Sequence, residues 1–393
     1  MEDFLLKRAW AEVDLDAICH NYTHIRATLP KETKLCCVIK ANAYGHGAVT
    51  LARCYEEMGA DFLAVSNLSE ALELRYAKIS LPILILGYTP PEAAVILFQN
   101  NISQCVFSSD YARTLADAAR AAGVFVKAHI KVDTGMGRLG FSLRREDETQ
   151  NAAKAIKACF ENKALLPEGI FTHFASADEG EAGSAFTEGQ FSLFLRLIER
   201  LKQDGLVFAL RHAANSAAIA SYPNTALDMV RAGILLYGIA PSCEVSSKGL
   251  LPSLELKTVI SHIKTLEAGE SVSYGRTFVA EKAMRVATLP IGYADGLWRA
   301  ACSVGHRVLV CGQYAPIIGR ICMDQCIIDV SHIHEAKVGD AVTVYGGAGE
   351  RVSSLAEKLG TIPYEILCAL GERIPRVYLE NGKAVSVFDR ILP

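Results

Sequence analysis

The sequence predicts an α/β architecture: an N-terminal (β/α)8 barrel of the TIM type followed by a smaller, mainly β domain. Three observations lead there. Short apolar runs alternate with amphipathic stretches from about Asp14 to Gly238, eight strand candidates fall in that span, and beyond Gly238 closely spaced strand-like segments replace the alternation. Eight βα units in about 225 residues suit a closed barrel better than an open doubly wound sheet, an alternative that sequence leaves open. The composition agrees: 51% of residues are hydrophobic and mean hydropathy is +0.21. No run of about 18 apolar residues spans a bilayer. The apolar excess belongs in a core of parallel strands covered on both faces.

In order, the strand candidates are KLCCVIK ending at Lys40, DFLAVS at Ser66, LPILILG at Gly87, SQCVF at Phe107, FVKAHIKVD at Asp133, GIFTHF at Phe174, VFALRHAA at Ala214 and MVRAGILLYG at Gly238. Helical patterns such as TLADAARAAG and FSLFLRLIERLKQDG intervene, each closed by Gly. Pro241, the serines around Ser246 and Pro252 mark a linker near 239–252. LELKTVISHIK, AMRVATLPIG, HRVLVCG, CIIDVSHI and DAVTVYGG then read as strands, and SSLAEKLG and YEILCALG as helices. The expected domains are a barrel over 12–240 and a β domain over 241–393, joined by the N-terminal segment 1–11. The late glycine cluster at Gly346, Gly347 and Gly349 lacks the spacing and context of a dinucleotide fingerprint.

With 40 Lys and Arg against 43 Asp and Glu, the net charge of -3 offers neither a nucleic-acid footprint nor a polybasic membrane patch. A small-molecule partner is expected. The N-terminal MEDFLLKRAWAEVDL lacks the basic and apolar regions of a signal peptide, so a cytoplasmic location is expected. The 12 cysteines, without framework spacing, read as reduced and mostly buried thiols. No metal is expected, since Cys322 and Cys326 lack a partner pair and His332, His334 and Glu335 do not have helical zinc-motif spacing.

Barrel sites form where strands end, so polar residues there carry the chemistry. Lys40 closes an apolar run, where an ammonium is costly unless paired or neutralised. A desolvated lysine with a lowered pKa suits a Schiff base to an aldehyde cofactor such as pyridoxal phosphate. From this segment alone, a lysine snorkelling to the barrel rim is an equal reading. Asn215 and Ser216 open a helical stretch directly after a strand, and Gly233 and Ile234 start the next unit, a pattern that suits phosphate or a plain N-cap and turn. Lys131, Arg138, His173, His212 and Arg231 stand at other strand ends. Taken singly, His173 reads more simply as a satisfied core histidine. Arg231 can only donate a hydrogen bond, so facing a pyridine nitrogen it would leave that nitrogen unprotonated and the ring a weaker electron sink.

KANAYGHG around Lys40, DTGMGRLGF around Arg138, THFASAD around His173, NSAA around Ser216, RAGILLYG around Arg231, SYGRTF around Tyr274, IGYADG around Tyr293 and GRICMDQ around Met323 together resemble the alanine racemase family, in order and across almost the whole chain. The resemblance implies a pyridoxal 5'-phosphate isomerase of fold type III. It implies a head-to-tail homodimer and a role in supplying D-alanine for the cell wall.

Carried over residue by residue, Lys40 resembles the Schiff-base lysine and the base serving D-alanine, and Tyr274 its counterpart for L-alanine, reaching the partner's site. The implied route passes through an aldimine and a Cα carbanion. Tyr44, Asn215, Ser216, Gly233, Ile234 and Tyr364 resemble the phosphate set, and Arg231, oriented by His212, the pyridine-nitrogen partner. Arg138 and Met323 resemble the substrate-carboxylate contacts, with Lys131, His173, Cys322 and Asp324 in support. Lys131 matches a position carbamylated in some relatives. His173 resembles a neighbour that tunes Tyr274, since a phenol is a poor base near neutrality without one. Asp178, Tyr293, Arg299 and Arg320 fit a polar entrance, where Leu297 departs from the aromatic residue common in relatives.

Other readings are a serine or broader-specificity racemase, a decarboxylase on the same barrel, and a non-catalytic pyridoxal-phosphate protein. Arg231 tells against the second of these and the retained SYGRTF and GRICMDQ against the third.

Overall fold

The computed structural model describes residues 8–389. Of the N-terminal segment 1–11, residues 1–7 lie outside the described residues. Eight parallel strands follow one another in order: Lys34–Val38, Phe62–Val65, Ile83–Ile85, Ile102–Val106, Val126–Asp133, Leu165–Phe171, Leu210–His212 and Met229–Ala232. The last pairs with the first, Met229 opposite Lys34 and Ala232 opposite Cys37. Between the seventh and eighth, the Asp228 amide donates to the Arg211 carbonyl at 3.1 Å and the Arg231 amide to Ala214 at 3.0 Å. The ring thereby closes. Strands such as Phe62–Val65 are buried at every position, as expected where side chains fill the barrel inside and helices cover it outside.

Side chains start some of the helices. Asp14 accepts from the Ala17 amide to cap Leu15–Thr28, and Asn67 and Ser108 cap Leu68–Tyr76 and Ser109–Ala121 in the same way. Several expected strands end about two residues early, KLCCVIK at Val38, LPILILG at Ile85 and VFALRHAA at His212, and two more need fuller correction. The sixth strand stops at Phe171, short of His173, and MVRAGILLYG leaves the sheet at Ala232 to form the single 3-10 turn Ile234–Tyr237, closed by left-handed Gly238. A fully buried apolar run has no period that separates strand from turn.

The second lobe is a ten-stranded sheet. LELKTVISHIK forms two strands of it, Leu254–Val259 and His262–Leu266. Ala9–Asp14 lies between Leu254–Val259 and Arg376–Glu380, antiparallel to one and parallel to the other, so the described residues start in this sheet before crossing into the barrel. One buried cluster runs through both lobes and includes Tyr55, Tyr237, Tyr345 and Tyr378. The cysteine expectation holds only in part: Cys36, Cys37, Cys105, Cys159 and Cys326 are buried, whereas Cys19, Cys243, Cys311 and Cys368 are exposed. Among the described residues, no helix is long and apolar enough to cross a membrane.

The turn after Lys40 matters most to the site. Ala41, Asn42, Ala43 and Tyr44 all have φ near +52°, forming a left-handed helical turn in which the Ala43 amide donates to Ile39 at 2.8 Å and Gly45 to Ala41 at 3.1 Å. Each such non-glycine residue costs about 1–2 kcal/mol, so surroundings must impose the conformation. Glu70 accepts from the Ala41 amide at 2.7 Å, Asn42 accepts from the Ala48 amide at 2.8 Å, and the other lobe grips the end of the turn. Arg376 Nε donates to the Gly45 carbonyl at 2.9 Å and the Tyr378 hydroxyl to His46 at 3.1 Å. Gly47, at φ +103°, must be glycine because a Cβ would lie 1.9 Å from that hydroxyl.

Replacing exposed Ala41 by glycine is expected to stabilise the protein by about 1 kcal/mol. The same change at Ala118, inside the right-handed helix Ser109–Ala121, should cost about 0.5–1 kcal/mol. Urea denaturation of both variants checks the opposite signs.

Candidate active site

The strand ends of the barrel bring one set of expected residues together. The left-handed turn reverses the chain after Lys40 and carries Tyr44 inward, where its ring lies 5.8 Å from that of Tyr364. Tyr364 is supplied by the short helix Pro363–Cys368 of the second lobe. Asn215 caps Ser216–Ser221 by accepting from the Ala218 amide at 3.0 Å, and Ser216 Oγ accepts from the Gly233 amide at 2.8 Å. A Cβ on Gly233 would stand 2.8 Å from the Tyr44 hydroxyl, so only glycine keeps the space between Tyr44, Ser216 and Ile234 open.

Arg231 is 3% exposed. It donates to His212 Nδ1 at 2.8 Å and to the carbonyls of Thr172 at 2.8 Å and Ala213 at 3.0 Å. Phe171 lies beneath it, 5.2 Å from ring centre to guanidinium carbon, and also beneath Lys131 Nζ at 5.5 Å. Burial lowers Arg231 to about 10, which still leaves it charged near neutrality. Burial and the guanidinium of Arg138 lower Lys40, and burial takes Lys131 to about 8 with Arg138, Arg231 and Lys40 adding to the effect. Burial, then the same cations led by Arg231, pushes His173 well below its ordinary value, so its imidazole is neutral. Four cations thus converge at one barrel mouth. Such a concentration favours an anionic occupant.

Arg138 itself is exposed, on a loop that Asp133 shapes. Asp133 accepts from the Gly135 amide at 3.0 Å and Gly137 at 2.9 Å, and from Arg144 Nη2 at 2.9 Å. Asp178 is half-buried, its carbonyl accepting from Ser242 at 2.5 Å, and its charge acts on Tyr364.

A second set assembles on the other lobe. Tyr274 projects from the small hairpin of Ser271–Val272 and Phe278–Val279 and is 69% exposed. Ser273 Oγ donates to the Arg320 carbonyl at 2.5 Å and lies 3.4 Å from Cys322 Sγ. Met323, 53% exposed, sits on the adjacent loop, where the amides of Tyr293 and Ala294 donate to the Cys322 and Met323 carbonyls at 3.1 and 3.0 Å. Sequence reasoning missed what fixes this loop. Asp295, fully buried, accepts from the Gly292 amide at 2.9 Å, Arg8 Nη2 at 2.8 Å and Arg373 Nε at 2.9 Å; Arg373 also holds Asp324. Two cations and an amide compensate the burial of this carboxylate. Its signal lay in IGYADG, but its partners are distant in sequence. Arg299 is exposed at the start of the 3-10 stretch Arg299–Val304, whereas Leu297 is fully buried. Leu297 therefore faces the core, and its departure from relatives does not line the entrance.

Models of the alanine racemase N-terminal and C-terminal domains match residues 13–241 and 253–378. The alanine racemase of Desulforamulus reducens is 46% identical over 372 residues, covering 94% of this chain and 98% of the relative. That of Desulfovibrio desulfuricans is 48% identical with the same coverage. Among solved structures, an alanine racemase of Clostridium difficile 630 superposes with a TM-score of 0.91 at 39% identity, covering 98% of this chain and 99% of that one. The alanine racemase of Bacillus anthracis with bound L-Ala-P gives 0.91 at 37%, covering 98% of each. The length and specificity of these matches, added to the ordered motifs and the barrel mouth they build, place this chain in the alanine racemase family.

Proposed function

We propose that the chain interconverts L- and D-alanine with pyridoxal phosphate, in a homodimer whose two active sites each draw residues from both subunits. One observation carries the dimeric reading: the cation-rich barrel mouth and the Tyr274–Met323 surface are each well ordered internally, yet Tyr274 and Met323 stand exposed. The residues present fit the cofactor. The cradle that a Cβ on Gly233 would fill lies among hydroxyl and amide donors suited to phosphate, and Arg231 is fixed by bonds that leave it a donor. Pyridoxal phosphate, when bound, supplies an aldehyde that joins an amine and a conjugated ring that spreads the electron pair released at Cα.

The chain's own residues then divide the work. Racemisation requires proton exchange on both faces of Cα, hence two acid/base groups on opposite sides. Lys40 Nζ, lowered by burial and Arg138, takes or returns the proton on the face belonging to D-alanine. The phenolic oxygen of Tyr274 of the partner subunit does so on the other. Neutral His173 accompanies that phenol without adding charge. Arg138 and the backbone of Met323 of the partner subunit orient the substrate carboxylate. Asp178, Tyr293, Arg299 and Arg320 line the approach.

Lys131 has its own chemistry. An amine lowered to about 8 is partly neutral near neutrality, and neutral amine adds carbon dioxide to form a carbamate, releasing one proton. The resulting anion would brace Arg138. Labelling with carbon-13 bicarbonate is expected to give a carbamate carbonyl resonance that disappears in Lys131→Ala; its persistence in that variant would contradict the assignment.

For the reaction itself, Tyr274→Phe should retain cofactor. Deuterium incorporation from solvent into L-alanine should fall by about 10²–10⁴-fold. Unchanged incorporation would contradict the two-face reading.

A further inference from the structure

A series of hydrogen bonds runs through the barrel interior beneath Arg231. Arg231 Nη1 meets His212 Nδ1 at 2.8 Å, His212 Nε2 meets His129 Nδ1 at 2.9 Å, and His129 Nε2 meets Glu168 Oε2 at 3.0 Å. Ser103 donates to the same carboxylate oxygen, and Lys127 Nζ lies 3.7 Å from the other. Both imidazoles are fully buried.

The two ends fix the direction of the series. A guanidinium only donates, and an ionised carboxylate only accepts. His212 Nδ1 must therefore accept from Arg231, which leaves the His212 proton on Nε2 to be donated to His129 Nδ1. His129 in turn carries its proton on Nε2 and donates it to Glu168. Any other arrangement sets donor against donor, or acceptor against acceptor, in a buried site where an unpaired group costs about 1–3 kcal/mol. Both rings are neutral. Burial lowers His129 despite the upward pull of Glu168, and burial with the nearby Arg231 holds His212 well below its ordinary value. Burial alone would raise Glu168, but hydrogen bonds from His129 and Ser103 outweigh it and keep the carboxylate ionised.

The backbone is shaped around this series. A Cβ on Gly169 would lie 2.3 Å from His129 Nδ1, and the fifth and sixth barrel strands shift register at Ala128 and His129. Phe171 stacks on His212 with centroids 4.8 Å apart and planes 6° from parallel.

We propose that Glu168 is a positioning residue for the racemase reaction: through His129 it sets the tautomer of His212, and thereby keeps the acceptor that fixes Arg231 in place toward the cofactor ring. The proposal rests on the reading of Arg231 given above and extends it to a carboxylate on a different strand that touches neither cofactor nor substrate. Without an acceptor at Glu168, the His129 Nε2 proton is stranded in the core. Moving it to Nδ1 sets it against the His212 proton, and moving that one sets it against Arg231. The proton is thus either left unpaired at His129 or exchanged for a conflict that passes through His212 to the guanidinium.

Long-range proton–nitrogen correlations of protein labelled at histidine, recorded without cofactor, read the tautomers directly. His129 and His212 should both be neutral and protonated at Nε2, in the wild type and in Glu168→Gln, whose amide oxygen still accepts. In Glu168→Leu the Nδ1 form should appear in both rings, and the reconstituted enzyme should lose about tenfold in kcat with KM for alanine little changed. Nδ1 protonation of either ring in the wild type overturns the proposal even if Glu168→Leu fails to fold. So does a folded Glu168→Leu with wild-type tautomers and kcat. Because the tautomers are read without substrate, a correct Nε2 pattern in a protein that does not racemise alanine would overturn the functional reading instead.

Discussion

Everything at the barrel mouth follows from the gathering of Lys40, Lys131, Arg138 and Arg231 with too little negative charge to balance them. Besides burial and the Cys105 thiol, the groups that act most on Lys131 are Arg138, Arg231 and Lys40, all cations. Cations partly removed from water repel one another, and the amines among them yield by losing affinity for their protons. Arg231, though lowered to about 10, keeps its proton near neutrality and is held by two carbonyls and a neutral imidazole. The result is a site that prefers anions and holds a lysine whose grip on its proton is weakened. The same charge distribution that destabilises the mouth thus favours an anionic occupant.

Holding such a site requires stiffness, and the protein obtains it by letting each lobe constrain the other. The left-handed turn that places Lys40 and Tyr44 is gripped by Arg376 and Tyr378 from the β sheet. Tyr364 completes the cradle from the same side. On the β lobe, the buried Asp295 ties the N-terminal strand region through Arg8 to the Met323 loop through Gly292 and Arg373. Neither lobe positions its functional side chains unaided.

The candidate site was legible in the sequence wherever a polar side chain falls at the end of an apolar run, as Lys40 and Arg231 do, because such a residue has no packing reason to be there. Other features left no local trace. Ala41 to Tyr44 contains no glycine, so nothing in those side chains announces four successive left-handed residues; the conformation is imposed by Glu70, Asn42 and the distant Arg376. The strand Ala9–Asp14 pairs with residues near 254 and 376, contacts that no local pattern specifies. His129 lies inside a run read simply as a strand and Glu168 just before another, and their meaning appears only when the barrel closes and sets Glu168, His129 and His212 side by side.

The central claim is that a complete site takes its amine from one subunit and its phenol from the other, and mixing two inactive variants tests it most directly. Lys40→Ala and Tyr274→Phe chains, each racemically inert alone, should regain activity when unfolded together and refolded. In a heterodimer one site combines Lys40 of one subunit with Tyr274 of its partner, so random assortment restores roughly one quarter of wild-type activity. A refolded mixture that forms mixed dimers yet stays as inactive as its components would contradict the account.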